Sequence, residues 1–250
     1  MCVMIKSISY TSGDLLKEID SLKRKLDGYS DGKIFRVHNQ RRAALEHESL
    51  NTSLYIEYPE MEHIIPGRMD REAKKLLHRL NTAWVYCKDN ISKENGISIR
   101  DLEVIQGIIV SEGELGVRVA DVVFDIPHEI PAPPYKMVPQ LMDELFTNLQ
   151  ELKNKVHPIE HAAYMHLHLL YIHPFMDGNG RTTRHAQNFE LEAAGYVPAI
   201  IQPHERWLYF SLLDAAKKGL LDDQTSPQRP FYDFIATKVQ EGLEKVLIEK

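Results

Sequence analysis

Residues 166–196 read HLHLLYIHPFMDGNGRTTRHAQNFELEAAGY, in which two helical patterns flank a polar insertion, HPFMDGNGR. The insertion carries Gly178 and Gly180, and a glycine inside a helix costs roughly 0.5–1 kcal/mol relative to alanine. The first pattern ends before the insertion and the second begins at it, so the glycines lie at a helix entrance. The stretch therefore predicts two helices joined by a loop that has a role of its own.

The groups of this loop together suit a polyphosphate. Free backbone N–H groups and the dipole of a helix N-terminus attract anions, and residues without a Cβ atom let phosphate oxygens come close. Arg181 and Arg184 lie one turn apart and can bond successive phosphates, while Asp177 offers Mg²⁺ a hard oxygen ligand. A histidine side chain can accept a proton near neutral pH, so His173 can serve as a general base. Taken singly, each group is more often a turn, a packed residue or a surface charge, but their order within twelve positions predicts a polyphosphate site beside a general base.

Length and composition exclude a few classes of protein. The chain has 250 residues, of which 43% are apolar and 26% charged, as in ordinary globular proteins. Its formal charge of -6 gives no general basic field for nucleic acid. The two cysteines cannot build a disulfide framework, the start has no leader pattern, and no run reaches the roughly 20 apolar residues of a membrane span. We expect a soluble cytoplasmic protein without nucleic-acid or membrane partners.

Helical periodicity recurs in the first part of the chain. A first amphipathic helix follows TSGD and ends near Gly28, with an apolar stripe at Leu15, Leu16, Ile19, Leu22 and Leu26. A weaker pattern covers residues 38–57, and Pro59 discourages its continuation. A third helix carries the stripe Ala73, Leu76, Leu77, Leu80, Trp84 and Cys87. Ser98 and Asp101 stand at capping-box spacing ahead of a fourth helix.

The valine-rich stretch GVRVADVVFDIP, residues 116–127, is the one strand signal and is short enough for a small hairpin. Helical patterns resume over residues 138–152, pass through the apolar AAYMHLHLLYI, which we expect to be central and buried, and return around 207–217 and 231–248. No repeat or long linker interrupts them. The sequence predicts one mainly α-helical body with a small β flap.

HPFMDGNGRTTR resembles the signature of the Fic family, His-Pro-Phe-x-Asp/Glu-Gly-Asn-Gly-Arg-x-x-Arg. Every specified position is met, by His173, Pro174, Phe175, Asp177, Gly178, Asn179, Gly180, Arg181 and Arg184. GVRVADVVFDIPHEIPAPPY is similar to the flap of that family, and ERWLYFSLLDAAKKG is similar to a later family helix with Arg206, Tyr209, Leu213 and Gly219 in register. The resemblance covers residues 95 to 235 and implies a Fic-type helical bundle with a small β-hairpin flap.

The resemblance implies transfer of AMP from ATP to a Ser, Thr or Tyr hydroxyl of a target protein. Self-modification and assembly into a homo-oligomer are both compatible with the resemblance. His173 would deprotonate the hydroxyl, Asp177 would bind Mg²⁺, and Phe175 would anchor the loop. Gly178, Asn179 and Gly180 would hold the α- and β-phosphates, with Arg181 on the β-phosphate and Arg184 near the γ-phosphate. The flap, from Val117, Arg118 and Val119 to about Phe124, would present an edge to which a target segment adds as a strand.

A second resemblance concerns the weaker helix at about 38–57. Many Fic proteins carry an inhibitory segment, Ser/Thr-x-x-x-Glu-Gly/Asn, whose glutamate pairs with the second arginine of the signature. Ser53 and Glu57 match its spacing, although Tyr58 replaces Gly or Asn. The resemblance implies that Glu57 pairs with Arg184, and the alternative is that Glu57 is one exposed charge among many. We expect an N-terminal helical region at 1–94 and a Fic core with C-terminal helices at 95–250, in one compact body.

Other interpretations of the sequence were weighed. A metal-hydrolase role for the histidines, His157, His161, His166, His168 and His173, is disfavoured because helical geometry separates them. Trp84 and Trp207 are expected in the core. Three functions stay open: a self-inhibited adenylyltransferase, a related phosphate-transfer or AMP-removing enzyme on the same scaffold, and a non-catalytic module that binds nucleotide or protein.

Overall fold

Nine α-helices make up most of the residues that the computed structural model describes, which are 10–30, 32–57, 71–111, 116–122 and 130–248. The helices are α1 (Gly13–Asp27), α2 (Gly32–Glu57), α3 (Arg71–Asn90), α4 (Ile99–Val110), α5 (Val138–Leu152), α6 (Pro158–Ile172), α7 (Asn179–Ala193), α8 (Arg206–Leu221) and α9 (Arg229–Leu247). The mainly α-helical fold expected from the sequence is confirmed. None of these helices combines the length and apolar composition that crossing a bilayer requires.

The pair of helices α6 and α7 forms the centre of the structure. Helix α6 packs against α5, α8 and α9, and α7 packs against α2, α3 and α4. Helix α6 buries residues on every side, from Ile159 to Ile172, as a helix surrounded by others must. The expected burial of its apolar stretch is confirmed.

The early helices follow the predicted stripes. Ile19 and Leu26 of α1 are buried against the core, and five of the six predicted stripe residues of α3 are buried: Ala73, Leu76, Leu80, Trp84 and Cys87. The capping box is confirmed, because the Ser98 hydroxyl accepts a bond from the Asp101 N–H and the Asp101 carboxylate accepts one from the Ser98 N–H. Helix α2 is longer than its pattern, since it begins at Gly32.

The prediction that Trp207 lies in the core is wrong, because its side chain is 69% exposed. Helix α8 buries the face that contains Arg206, Tyr209 and Leu213. Trp207 follows Arg206 directly, so its side chain is rotated by roughly 100° from that of Arg206. The Arg206 guanidinium lies 4.8 Å from the centre of the Trp207 ring. Trp84, by contrast, is buried as predicted.

The expected β-hairpin is not supported by the part of the flap that the structure describes. Residues 116–122 contain no strand, and residues 123–129 lie outside the described ranges. The reason lies in Arg118, whose N–H donates to the carbonyl of Pro174 at 2.7 Å while its buried guanidinium bonds further carbonyls. The Arg118 N–H and its Nε are therefore bonded to carbonyls of the loop after α6.

Candidate active site

The loop between α6 and α7 carries the predicted site and has an unusual backbone. His173 ends α6 in the left-handed conformation, with φ of 52°, which is uncommon for a residue with a side chain. Gly178 precedes α7 with φ of 82°. Backbone strain of this kind is concentrated at functional sites. The chain therefore turns sharply at His173 and again at Gly178, at the two ends of the loop that joins α6 to α7.

Asn179 and Phe175 hold the loop in shape. The Asn179 side-chain oxygen accepts from the Phe175 N–H at 2.9 Å, and its amide nitrogen donates to the Phe175 carbonyl at 2.8 Å. Phe175 itself is 2% exposed and packs in the core. The Asn179 side chain is therefore committed to the loop, and the part of this residue suited to a phosphate is its backbone N–H at the start of α7.

Gly178 is required by close packing as well as by its backbone angle. A Cβ atom at this position would lie 2.7 Å from the Cγ2 atom of Val110, at the end of α4. From the same helix, the Gln106 side chain donates to the Asp177 carbonyl at 3.1 Å. Helix α4 thus supports the back of the loop.

Asp177 and Arg181 face one another at this entrance. The Arg181 guanidinium donates to both carboxylate oxygens of Asp177, at 3.0 and 3.1 Å, and the Gly178 N–H lies 2.6 Å from one of them. The Arg181 side chain is 4% exposed, whereas that of Asp177 is 65% exposed. A single exposed carboxylate fits Mg²⁺ that is held jointly with phosphate oxygens. Among the described residues, no three His, Cys, Asp or Glu side chains form a site for a metal held by protein alone.

Arg184 contacts helix α2. Its Nε donates to the Ser53 hydroxyl and a terminal nitrogen donates to the Ser53 carbonyl, both at 3.1 Å. Both residues are buried, at 6% and 4% exposure. Glu57 is the last residue of α2, and its side chain lies outside the described part of the structure. Tyr58 and Pro59, on which the end of the helix was argued, lie outside it as well.

Helix α2 is held at several points besides Arg184. Arg206 of α8 donates to the Ile56 carbonyl at 2.8 Å, close to the end of α2. The Glu48 carboxylate accepts from Gln202 at 2.9 Å and from Lys245 at 3.3 Å. These contacts come from side chains on the C-terminal half of the chain, so the position of α2 depends on the helices that surround the loop.

Arg118 supports the other end of the loop. Its Nε donates to the His173 carbonyl at 2.8 Å, and a terminal nitrogen donates to the Pro133 carbonyl. The Arg118 side chain is fully buried, whereas Val119 is 81% exposed and Val117 is half-buried. Of the three predicted flap residues, Arg118 therefore holds the loop between α6 and α7, and Val119 presents a side chain to solvent.

Beneath the loop lies a buried hydrogen-bond chain that was not predicted from the sequence. The two ring nitrogens of His166 lie 2.6 Å from the Gln187 carboxamide oxygen and 2.8 Å from the Tyr209 hydroxyl. All three residues are fully buried, and burial lowers the pKa of His166 to about 3. The neutral ring thus donates to Gln187 and accepts from Tyr209, which joins α6, α7 and α8. In the sequence, the only indication of a role for His166 was its position two helical turns before His173.

The other histidines of the predicted cluster have separate partners. His157 caps α6 through its ring nitrogen, His161 lies 3.0 Å from the Leu149 carbonyl, and His168 lies 2.9 Å from the Tyr164 carbonyl. Burial lowers the pKa of His168 to about 4. These partners explain the histidines without a shared metal ion.

The fold and the loop define a helical domain in which a histidine at the end of α6 and the glycine-flanked N-terminus of α7 share one loop. Residues 96–191 match the model of the Fic/DOC family. The chain is 30% identical over 249 residues to the protein adenylyltransferase Fic of Nematostella vectensis, a match that covers 94% of this chain and 56% of that protein. Residues 96–191 therefore form a domain of the Fic/DOC family.

Solved structures agree with this fold. A Fic domain containing signaling protein from Bacteroides thetaiotaomicron superposes with a TM-score of 0.75 at 17% identity, covering 92% of this chain and 96% of that one. Fic-1 from C. elegans superposes with a TM-score of 0.74 at 22% identity, covering 94% and 72%. The chain spans about half (56%) of the length of its relative from Nematostella vectensis.

Proposed function

We propose that this chain is a protein adenylyltransferase, which transfers AMP from ATP to a Ser, Thr or Tyr hydroxyl of a target protein. The observation that carries the proposal is the meeting of three features at one loop: His173 at the end of α6, the N-terminus of α7, and the buried Arg181 and Arg184 on the first turns of α7. The name of the relative from Nematostella vectensis, protein adenylyltransferase Fic, supports the same chemistry.

The reaction follows from the properties of these groups. The His173 imidazole takes the proton of the target hydroxyl, and the hydroxyl oxygen attacks the α-phosphorus of ATP. The bond between that phosphorus and the oxygen bridging to the β-phosphate breaks, so pyrophosphate leaves. Backbone N–H groups of residues 178–180 and the Arg181 guanidinium bind the charge on the phosphates, with Arg184 at the γ-phosphate.

Asp177 is the residue that would hold Mg²⁺ together with phosphate oxygens, and the ion would neutralise phosphate charge. Asp177 pairs with Arg181 at 3.0 Å. Binding of the nucleotide would give each member of this pair a partner of opposite charge. The pair would thereby keep both side chains at the helix entrance before ATP arrives.

Helix α2 would restrain this activity. The buried contact between Ser53 and Arg184 supports the proposal, because it aligns α2 with the arginine assigned to the γ-phosphate. Glu57 follows Ser53 by four residues and so lies on the same face of α2. Its carboxylate would compete with the γ-phosphate for Arg184.

The proposed target surface is the segment at 116–122. It runs beside the loop through the bond between the Arg118 N–H and the Pro174 carbonyl, and Val119 is exposed there. A target segment docked on it would bring a hydroxyl towards His173, with backbone contacts doing most of the recognition.

The test is incorporation of label from ATP marked on the α-phosphate, with Mg²⁺, for the wild type, His173→Ala and Glu57→Gly, scored on the protein itself and on a cell lysate. We expect strong label for Glu57→Gly, weak label for the wild type and none for His173→Ala. Equal label for the wild type and Glu57→Gly would refute the proposed inhibition by Glu57, but it would still support the adenylyltransferase activity.

Two further readouts separate the alternatives. Loss of AMP from a pre-labelled protein, with no incorporation, would identify an AMP-removing enzyme. Absence of label in all variants despite ATP binding would contradict the adenylyltransferase and favour a binding module. ATP binding by His173→Ala, followed by calorimetry, provides the control that the nucleotide site is intact.

A further inference from the structure

A cleft at the far end of the central helices has no part in the proposed reaction. It lies between the α3–α4 connection, the α5–α6 connection, the start of α6 and the end of α7, and has a volume of about 420 Å³. Pockets for small ligands begin at roughly 300 Å³. His161 in the cleft precedes His173 by twelve residues, so the two sites are separated by roughly 18 Å along α6. A ligand of the cleft would not touch the loop at 173–184.

His161 and Glu190 present two acceptors to this cleft. The His161 Nε2 lies 3.0 Å from the Leu149 carbonyl, which can only accept, so Nε2 carries a proton and donates to it. With the ring protonated on Nε2 alone, Nδ1 is an acceptor, and it lies 3.9 Å from a Glu190 carboxylate oxygen. This separation is too long for a hydrogen bond. A donor lying between the two atoms would satisfy both.

Glu190 is held rigidly in this position. Its other carboxylate oxygen accepts from the Ile97 N–H at 2.9 Å, and its side chain is only 13% exposed. The close approach depends on Gly96, where an added Cβ atom would lie 2.8 Å from that oxygen and whose φ is +75°. The carboxylate therefore cannot turn away from His161 without losing a backbone bond.

Cationic side chains line the same cleft. Lys93 comes from the α3–α4 connection, and Lys153 from the end of α5, where its ammonium also donates to the Glu94 carbonyl. The rest of the lining is polar at Glu94 and Asn154 and apolar at Val156, Pro158, Ala193 and Ala194. The cleft thus offers cations, an apolar surface and a pair of acceptors to one ligand.

We propose that this cleft binds a small zwitterion, a molecule with an ammonium group and a carboxylate joined by a short apolar chain. The ammonium donates to His161 Nδ1 and to the Glu190 carboxylate, and the carboxylate of the ligand pairs with Lys93 and Lys153. Charge-assisted hydrogen bonds at both ends set the specificity. A ligand with only one of the two charges leaves either the acceptors or the lysines without a counterpart.

The probe is δ-aminovalerate, with amylamine and valerate as matched ligands that each keep one charge. Binding to the full chain is measured by calorimetry and by the rise in melting temperature. We expect δ-aminovalerate to bind and the two control ligands to bind at least about tenfold more weakly, since each loses a charge-assisted bond. Equal binding of valerate would reduce the site to an anion site and overturn the proposal, as would binding of none of the three, which would leave a hydrated His161–Glu190 pair.

Two variants test the assignment of each end. Glu190→Gln keeps an oxygen acceptor for the Ile97 N–H and removes the charge, so we expect it to lose δ-aminovalerate with little change in unfolding. Lys153→Met should lose it too, and Lys153→Arg should retain part of it. Lys17→Met, at a lysine with an 80% exposed side chain on α1, is the matched control and should bind as the wild type does. Undiminished binding by Glu190→Gln would contradict the proposal.

Discussion

Replacing Ser53 by alanine should raise AMP transfer, because it weakens the contact that aligns α2 with Arg184. The Ser53 hydroxyl is the acceptor for Arg184 Nε at 3.1 Å, and the Ser53 carbonyl accepts from a terminal nitrogen at the same distance. The alanine variant removes the first bond and retains the second. Arg184 itself is unchanged, so its proposed contact with the γ-phosphate is preserved.

The size of the effect follows from the burial of this bond. Removing the acceptor of a buried donor costs roughly 1–3 kcal/mol, and the cost applies only while α2 is docked, since water or phosphate can replace the hydroxyl once α2 moves. A change of that size shifts a two-state equilibrium by roughly 5- to 150-fold. The initial rate of label incorporation should rise by a factor in that range, up to the rate of Glu57→Gly.

Ser49→Ala is the matched control for this experiment. Ser49 lies one turn earlier on α2 and is also buried, but its hydroxyl donates to the Glu46 carbonyl of the same helix at 2.7 Å. It should alter stability slightly and leave the rate of label incorporation unchanged. If Ser53→Ala and Ser49→Ala give the same rate as the wild type, or raise it equally, the contact with Arg184 does not restrain the enzyme.

Two further predictions concern the loop and the buried histidines. Gly178→Ala should abolish ATP binding in calorimetry, because its Cβ atom would lie 2.7 Å from Val110 and the backbone φ is +82°. Adding Val110→Ala removes the steric clash but not the unfavourable φ, so the double variant should regain binding only in part. Full ATP binding by Gly178→Ala alone would refute the packing argument. Burial lowers the pKa values of His166, His168 and His185 to about 3, 4 and 4, below the unfolded value, so the unfolded chain binds more protons as the pH falls from about 6.5. The free energy of unfolding, measured with urea, should fall from pH 6.5 to 4.5 by up to about 4 kcal/mol per pH unit for three protons, and a flat profile would contradict their burial as neutral groups.

Much of the fold was predictable because helix formation leaves a local pattern. The stripe of α3 and the capping box at Ser98 and Asp101 are confirmed, since both depend on residues within a few positions of one another. Trp207 shows the limit of this reasoning. An aromatic residue at helical spacing belongs to the core only if its own face is covered, and α8 turns the face of Arg206 and Tyr209 inward instead.

The flap shows a second limit. Valine-rich sequence predicts strands, but a strand requires a partner with free backbone groups. Arg118 instead bonds the carbonyls of His173 and Pro133, and its N–H bonds that of Pro174. No local pattern indicates that an arginine between valines is buried, because its acceptors come from distant parts of the chain.

The sequence by itself determined the helical composition and the residues of the loop between α6 and α7, because periodicity, glycine and the order of charged groups act over a few positions. Only the tertiary structure decided that Ser53 meets Arg184 across 131 positions and that His166 joins Gln187 and Tyr209 beneath the loop. Contacts of this kind depend on how whole helices pack, and packing sums many weak interactions that no short stretch encodes.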